Sequence, residues 1–193
     1  MHESLIHYIG KYSAIPLTEM EIDMIKEIFV PKKIRKRQYF LQEGELCKYG
    51  AFIVKGAMCQ YTVDDKGVEH IVRLFIENWW VTDRESFLRL TPSAYNIDAW
   101  EDCDVLLLTR SDFANRLPSI PAWNETMRKA DDNFAIAIQK RMASMSLSPE
   151  QRYKELINTY PEFLQRFPQH IIASYLGISR ETLSRARSHG LKK

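Results

Sequence analysis

The sequence predicts an α+β fold: helices first, then an antiparallel β-roll, one long helix, and a helix-turn-helix at the end. Three observations support this. Short β-branched and aromatic runs broken by EG, KG and DKG fill VPKKIRKRQYFLQEGE, AFIVKGAMCQYTVDDKGVEHIVRLFI and DVLLLTRSDF, the pattern of a small antiparallel roll or barrel. An apolar stripe of helical period follows Ser119. The stretch SYLGISRETLSR, Ser174 to Arg185, is a Gly-broken pair of short helical patterns, the second studded with arginine.

The first 29 or so residues read as helical, with Ile22, Ile25, Ile28 and Phe29 at helical spacing behind Thr18, a natural N-cap. In the roll region, KKIRKR (Lys32 to Arg37) has the look of a nucleic-acid patch. Its strand-like flanks favour the solvated face of an edge strand, where lysines discourage pairing with other chains. After the roll, Ile120, Trp123, Met127, Ala130, Phe134 and Ala137 recur in steps of three and four, and Ile138, Met142 and Met145 widen the stripe. The resulting face is too wide for one partner, so this helix is expected to pack on the roll and on a symmetry mate. SLSPEQ then marks a boundary near Leu147: Ser148 can cap a helix whose first residue, Pro149, has its φ already set. That helix should run to about Tyr160, with Pro161 and Pro168 punctuating the stretch beyond it.

Composition narrows the function classes. The apolar share of 45% is ordinary for a globular protein, and no apolar run approaches the roughly 18 residues of a membrane span. The start, MHESLIHYIGKY, lacks the pattern of a signal peptide, so a cytoplasmic location is expected. Cys47, Cys59 and Cys103 are far apart and read as buried small hydrophobes rather than a disulfide framework or metal site. The net charge of +2 hides an asymmetry: from Glu150 onward eight Lys/Arg face four acids, so the tail carries +4 and the preceding residues −2. A basic tail on a slightly acidic body points to a polyanion partner for the tail.

The tail fits the positional demands of a helix-turn-helix. Counting from Gln169, the fifth residue is the small Ala173 and the ninth is Gly177, which admits the positive φ of the turn. Interior positions fall on Ile172, Leu176, Ile178, Leu183 and Ala186. Ser179 can cap the second helix and Gly190 can end it. Its outward residues are Arg180, Glu181, Ser184, Arg185 and Ser188. Arg180, Glu181 and Arg185 lie where a recognition helix meets base edges, arginine pairing with guanine and glutamate accepting from cytosine. Gln169, Ser179 and Thr182 are the candidates for phosphate contacts.

With these residues placed, the whole chain resembles the cyclic-AMP receptor protein/Fnr (Crp/Fnr) family of bacterial transcription regulators. The anchors are SRETLSR (Ser179 to Arg185), similar to the family's recognition-helix signature, and FIVKGAMCQYTVDDKG (Phe52 to Gly67), which looks like its roll hairpin. IASYLGISRETLSR looks most like the branch found in Bacteroidetes-type bacteria. The resemblance implies a cyclic-nucleotide-binding-like sensor over residues 1–118, a dimerisation helix over 119–146, and a winged-helix-like DNA-binding unit over 147–193. It also implies that the long helix forms a two-fold dimer and that residues matching Arg180, Glu181 and Arg185 contact bases. The partners implied are double-stranded DNA and a second copy of the chain, with RNA polymerase and an unidentified small-molecule effector as further candidates.

Two departures from the family pattern matter. Members that bind cyclic nucleotides carry a Gly-Glu pair and, about ten residues later, an Arg-Ser/Thr-Ala step, the Glu meeting the ribose and the Arg the phosphate. Here the first step falls on Thr82-Asp83 and the second on Ser93-Ala94-Tyr95. Ser93 cannot supply the guanidinium a buried phosphate needs, although Arg84 or Arg89 lies within reach in sequence. Asp83, Ser93 and Ala94 therefore mark a degenerate effector pocket, and cyclic AMP is not the expected effector. The second departure is the end, SHGLKK, where the family's β-wing is short or absent and Lys192 and Lys193 stand as phosphate contacts or a frayed end.

No cofactor is expected. Fnr-type iron–sulfur sensing needs a cysteine cluster near the N-terminus, and His70 as a lone histidine reads as structural rather than as a haem ligand. Trp79, Trp80 and Trp100 could line an apolar effector pocket, but large indoles more often fill a core. A cupin-like metalloenzyme is the competing class. It would need two or three histidines converging in the roll, whereas His2, His7, His170 and His189 all fall outside it. GxSxG, P-loop and HExxH motifs are absent, so catalysis is not expected.

Overall fold

Two helices open the chain, α1 (His2–Tyr12) and α2 (Glu19–Ile28). Thr18 caps α2 as expected, in a reciprocal pair: its hydroxyl accepts the Glu21 N–H, and the Glu21 carboxylate accepts the Thr18 N–H at 2.8 Å. The structure, a computed structural model, describes residues 1–190; Lys192 and Lys193 lie outside the described residues. Strands β1 (Val30–Ile34), β2 (Tyr39–Leu41), β3 (Tyr49–Lys55), β4 (Met58–Val63), β5 (Glu69–Phe75) and β6 (Trp80–Val81) follow, then the short helix α3 (Arg84–Arg89), β7 (Asn96–Ala99) and β8 (Cys103–Thr109). They form two antiparallel four-stranded sheets, in the orders β1-β8-β3-β6 and β2-β7-β4-β5.

The stretch Phe52–Gly67 is a different object from the hairpin its sequence resembles. β3 and β4 belong to different sheets, and the hairpin partner of β4 is β5. The crossing between sheets turns at Gly56, with φ +104°. A Cβ there would sit 2.6 Å from Cys103 Sγ and 2.7 Å from the Asp102 carbonyl, so only glycine lets the corner close.

Burial on both faces explains why β3 and β8 read as unbroken apolar runs. Ala51, Ile53 and Val105 point between the sheets, with Met58, Phe75 and Ile97 from the second sheet. Phe52, Leu106 and Leu108 point the other way, into a core shared with α1, α2 and Trp123. β1 is an edge strand with exposed lysines, and Lys33 Nζ reaches Asp104 Oδ1 at 2.8 Å. All three cysteines are buried free thiols, and burial pushes Cys103 up to about 12.

After α4 (Arg110–Asn115) and a 3-10 turn at Leu117–Ser119, α5 (Pro121–Ser144) supplies the long helix. Its first turns bury Ala122, Trp123 and Thr126 against the roll. Further along, Ile138, Met142 and Met145 stand exposed, the last two at 67% and 70%. The remaining helices are α6 (Pro149–Thr159), α7 (Phe163–Arg166), α8 (Gln169–Leu176) and α9 (Arg180–Gly190). Ser148 caps α6 in a box with Gln151, and Pro149 opens it. α7, between the two prolines, is a short helix that no spacing in the sequence announces.

The outer face of the second sheet, through Cys59, Tyr61, Ile71 and Leu74, packs on Tyr153, Phe163, Phe167 and Ile171 of the C-terminal helices. β5 is an edge strand of that sheet. Ser174 on α8 accepts the Ile71 N–H at 2.9 Å and donates to the Glu69 carbonyl at 3.2 Å. Arg141 on α5 donates to the Val72 carbonyl and, at 3.2 Å, to the Tyr175 carbonyl. The strand's open edge is thus covered by side chains of α5 and α8.

Candidate nucleic-acid interface

α8 ends in a Schellman turn. Gly177 sits at φ 66°, ψ 37°, its N–H bonds to the Ser174 carbonyl at 3.0 Å, and the Ile178 N–H to the Ala173 carbonyl at 3.0 Å. Ser179 then caps α9, accepting the Thr182 N–H at 3.1 Å. Leu183 and Ala186, each 1% exposed, and Ala173 at 2% bury the inner faces. Arg180, Glu181, Ser184, Arg185 and Ser188 are all exposed.

The sequence-derived DNA-contact residues fall toward the N-terminal ends of α8 and α9. Arg180 and Glu181 occupy the first turn of α9 and Arg185 the next. The Glu181 carboxyl is held below the usual range, first by its own backbone N–H and then by the Ser179 hydroxyl. Thr182 is half-buried; its hydroxyl lies 3.0 Å from Ser179 Oγ and accepts from Arg185 Nη2 at 3.4 Å. Gln169 is exposed in the first turn of α8. A groove of about 710 Å³ separates this end from the β4–β5 hairpin, and Glu69, His70, His170, Ser174, Ser179 and Arg180 line it. His170 is held below its usual pKa by burial and by the Arg180 charge.

The residues that the sequence assigns to the effector region bond mainly to one another and to nearby backbone. Asp83 is 5% exposed and its carboxylate caps α3, accepting the Glu85 N–H at 3.2 Å. Ser93 is 3% exposed; its hydroxyl donates to the Tyr95 carbonyl at 3.1 Å and accepts the Tyr95 N–H at 3.0 Å. Ala94 is exposed. Neither nearby arginine turns toward Ser93: Arg84 makes a two-pronged pair with Asp131 on α5, at 2.7 and 2.9 Å, and Arg89 pairs with Glu85. A hollow of about 380 Å³ lies close by, lined by Phe40, Leu41, Glu45, Leu46, Cys47 and the Lys48–Tyr49 pair.

The tryptophans do not share a pocket. Trp80 packs among Tyr8, Phe29, Phe52 and Trp123. Trp79 stacks edge-on to Tyr160 and Phe163, and the Trp100 indole donates to the Arg166 carbonyl at 3.2 Å. His70 pairs with Asp64 at 2.9 Å on the hairpin.

Residues 31–118, the strand roll with its short helices, match a known domain, the cyclic nucleotide-binding domain. The roll is similar to that domain. Around this cyclic nucleotide-binding-like domain, the C-terminal helices include the closely spaced pair α8 and α9. The chain is 25% identical to the fumarate and nitrate reduction regulatory protein of Yersinia pestis over 182 residues, covering 88% of this chain and 72% of that one. FixK2 from Bradyrhizobium japonicum shares the fold at a TM-score of 0.69 and 18% identity, over 84% of both chains. The c-di-GMP responsive regulator CLP of Xanthomonas campestris does so at 0.68 and 14%, over 87% of this chain and 89% of that one.

The residues that join the cyclic nucleotide-binding-like domain to its helices were not foreseen from sequence. Arg166 Nη1 reaches Glu77 Oε2 at 2.7 Å and Arg166 Nε reaches Glu101 Oε1 at 2.8 Å. Arg73 lies between the Phe75 and Phe134 rings, 4.6 and 4.4 Å from their centroids. No local pattern marks either residue, because each partner is far away in the chain. Among the described residues, no helix is long and apolar enough to cross a membrane.

Proposed function

We propose that the chain is a homodimeric, DNA-binding transcriptional regulator that reads a palindromic operator through α9, and that its nucleotide site is no longer built for cyclic AMP. The observation that carries this reading is the division of α9 into a buried face, Leu183 and Ala186, and an exposed face holding Arg180, Glu181 and Arg185. Such a face, set at a helix N-terminus behind a Gly turn, fits a major groove. The bare Ile138 and Met142 on α5, with Met145 just past its end, support the second copy, and a two-fold dimer reads two half-sites about 34–36 Å apart.

Ser93 in place of an arginine, with Arg84 and Arg89 committed elsewhere, argues against cyclic AMP. A cyclic-nucleotide-responsive regulator is the second reading, favoured by the match over residues 31–118. The c-di-GMP response named for the Xanthomonas relative widens the set of nucleotides worth testing. RNA polymerase as a partner and the Bacteroidetes-type branch belong to the same proposal.

Selection of genomic fragments by the purified protein, with no small molecule added, tests it. A recovered palindrome whose yield cyclic AMP leaves unchanged is the expected result. No enrichment, with or without a panel of cyclic mono- and dinucleotides, sinks the proposal.

A further inference from the structure

We propose that Gln60 and Arg73, paired across β4 and β5, form a binding site for a small hydroxy carboxylate, the anion meeting the guanidinium and the hydroxyl donating to the amide oxygen. As an effector class this rests on the regulator reading above. It uses none of Asp83, Ser93 and Ala94, the residues that the sequence marks as a degenerate pocket.

A bulge builds the pair. Tyr61 stands opposite Ile71 and Gln60 opposite Arg73, so Val72 is an extra residue on β5. Bulges of this kind re-aim the side chains beside them. Ile71 and Leu74 pack toward the C-terminal helices, whereas Phe75 and its partner Met58 face between the sheets. Alternation along the strands puts Arg73 on the Phe75 side and Gln60 on the Met58 side, one inner face. Arg141 on α5 donates to the Val72 carbonyl and so holds the bulge.

The protein satisfies neither polar group. Gln60 is 3% exposed, and its Oε1 has no hydrogen-bond partner, a costly state for a buried acceptor. Arg73 is half-buried and, among the described residues, forms no ion pair with a carboxylate. The Phe75 and Phe134 rings, 4.6 and 4.4 Å from it, cover the guanidinium but supply no oxygen for its N–H donors. Burial pushes this arginine down to about 10, and the Arg141 and Arg84 charges add to the push. Arginine does not shed its proton, so the surroundings hold a cation that they disfavour.

The chemistry of the pair selects the ligand. A carboxylate accepts two parallel N–H bonds from a guanidinium. A single negative charge suffices, since Arg84 is taken by Asp131 and Arg141 by the Val72 and Tyr175 carbonyls. Gln60 Oε1 asks for a donor. An ammonium there would face three arginines, which leaves a hydroxyl. Phe134 lies on α5, so a ligand seated here touches the roll and the long helix together.

The test is calorimetric titration of the intact protein, without DNA, with lactate and β-hydroxybutyrate, each beside its hydroxyl-free counterpart, propanoate or butyrate. At least one hydroxy acid should bind, about tenfold or more tighter than its counterpart. Arg73→Met should weaken that binding about a hundredfold. Gln60→Leu should bring the hydroxy acid down to the affinity of its counterpart and leave the counterpart unchanged. Both substitutions remove an unsatisfied polar group, so the variants' melting temperatures should hold or rise, which separates lost binding from lost fold. The wild-type comparison of paired acids stands whatever the variants do. No binding of any of the four acids, equal affinity within both pairs, or binding that Arg73→Met leaves intact overturns the inference. With no DNA in the cell, that result leaves the DNA-binding reading standing. Failure of the fragment selection removes the regulator reading and leaves the ligand titration in place.

Discussion

Arg180 stands exposed in the first turn of α9, with the positive end of that helix behind it. Arg180→Ala should weaken binding to the selected operator by about 1–3 kcal/mol and relax the preference at one base pair per half-site. Anisotropy titrations against single-base operator variants check this, and a uniform loss on every sequence would contradict base reading. Asp98 makes a prediction of another kind. Its folded pKa, about 6, lies above the ordinary carboxylate value because burial and Glu69 disfavour the charge. The folded state therefore binds the extra proton, so this group's contribution to stability falls as pH rises from about 4 to about 6. Asp98→Asn should stabilise the protein at pH 7.5 by about 1 kcal/mol, with the gain vanishing toward pH 4. Thermal melts across that range read it directly.

The elements show where sequence patterns carry information and where they stop. Thr18, Ser148 and Gly177 announce helix ends through short-range chemistry, and each does so in the structure. The turn at Gly56 is visible in sequence, yet which strand closes against it is not, because period-2 alternation is masked when both faces of a strand are buried. The face of α9 was readable for the same reason as the caps: its spacing is local. That Ser93 carries no guanidinium is plain from residue type alone, but the commitment of Arg84 to Asp131 needed the fold. Arg166, held by Glu77 and Glu101, ties α7 to the roll. Arg166→Ala leaves two half-buried carboxylates facing each other and should cost about 1–3 kcal/mol. Hydrogen exchange should then quicken in α7 and α8 while β3 and β8 stay protected.

At the scale of the whole molecule, α5 is the member that every part touches. Asp131 takes Arg84 from α3, Phe134 covers Arg73, and Arg141 reaches both β5 and α8. These links span roll and terminal helices in the chain alone, which is why effector-free DNA binding is the expected outcome. The bare end of α5 carries the dimer prediction: Ile138→Asp with Met142→Asp should give a folded monomer in sedimentation and lose operator binding by two orders of magnitude or more, since each half-site then binds without its twin. Consider, finally, what the cover over β5 means for movement. If α8 swings away during a regulatory transition, the Ile71 N–H and the Glu69 carbonyl lose Ser174, and a bare strand edge meets solvent beside exposed Val63 and Val68. An uncovered edge of that kind recruits other strands. Release of the terminal helices is therefore coupled to a risk of self-association, and it favours a regulator whose resting form is the closed one.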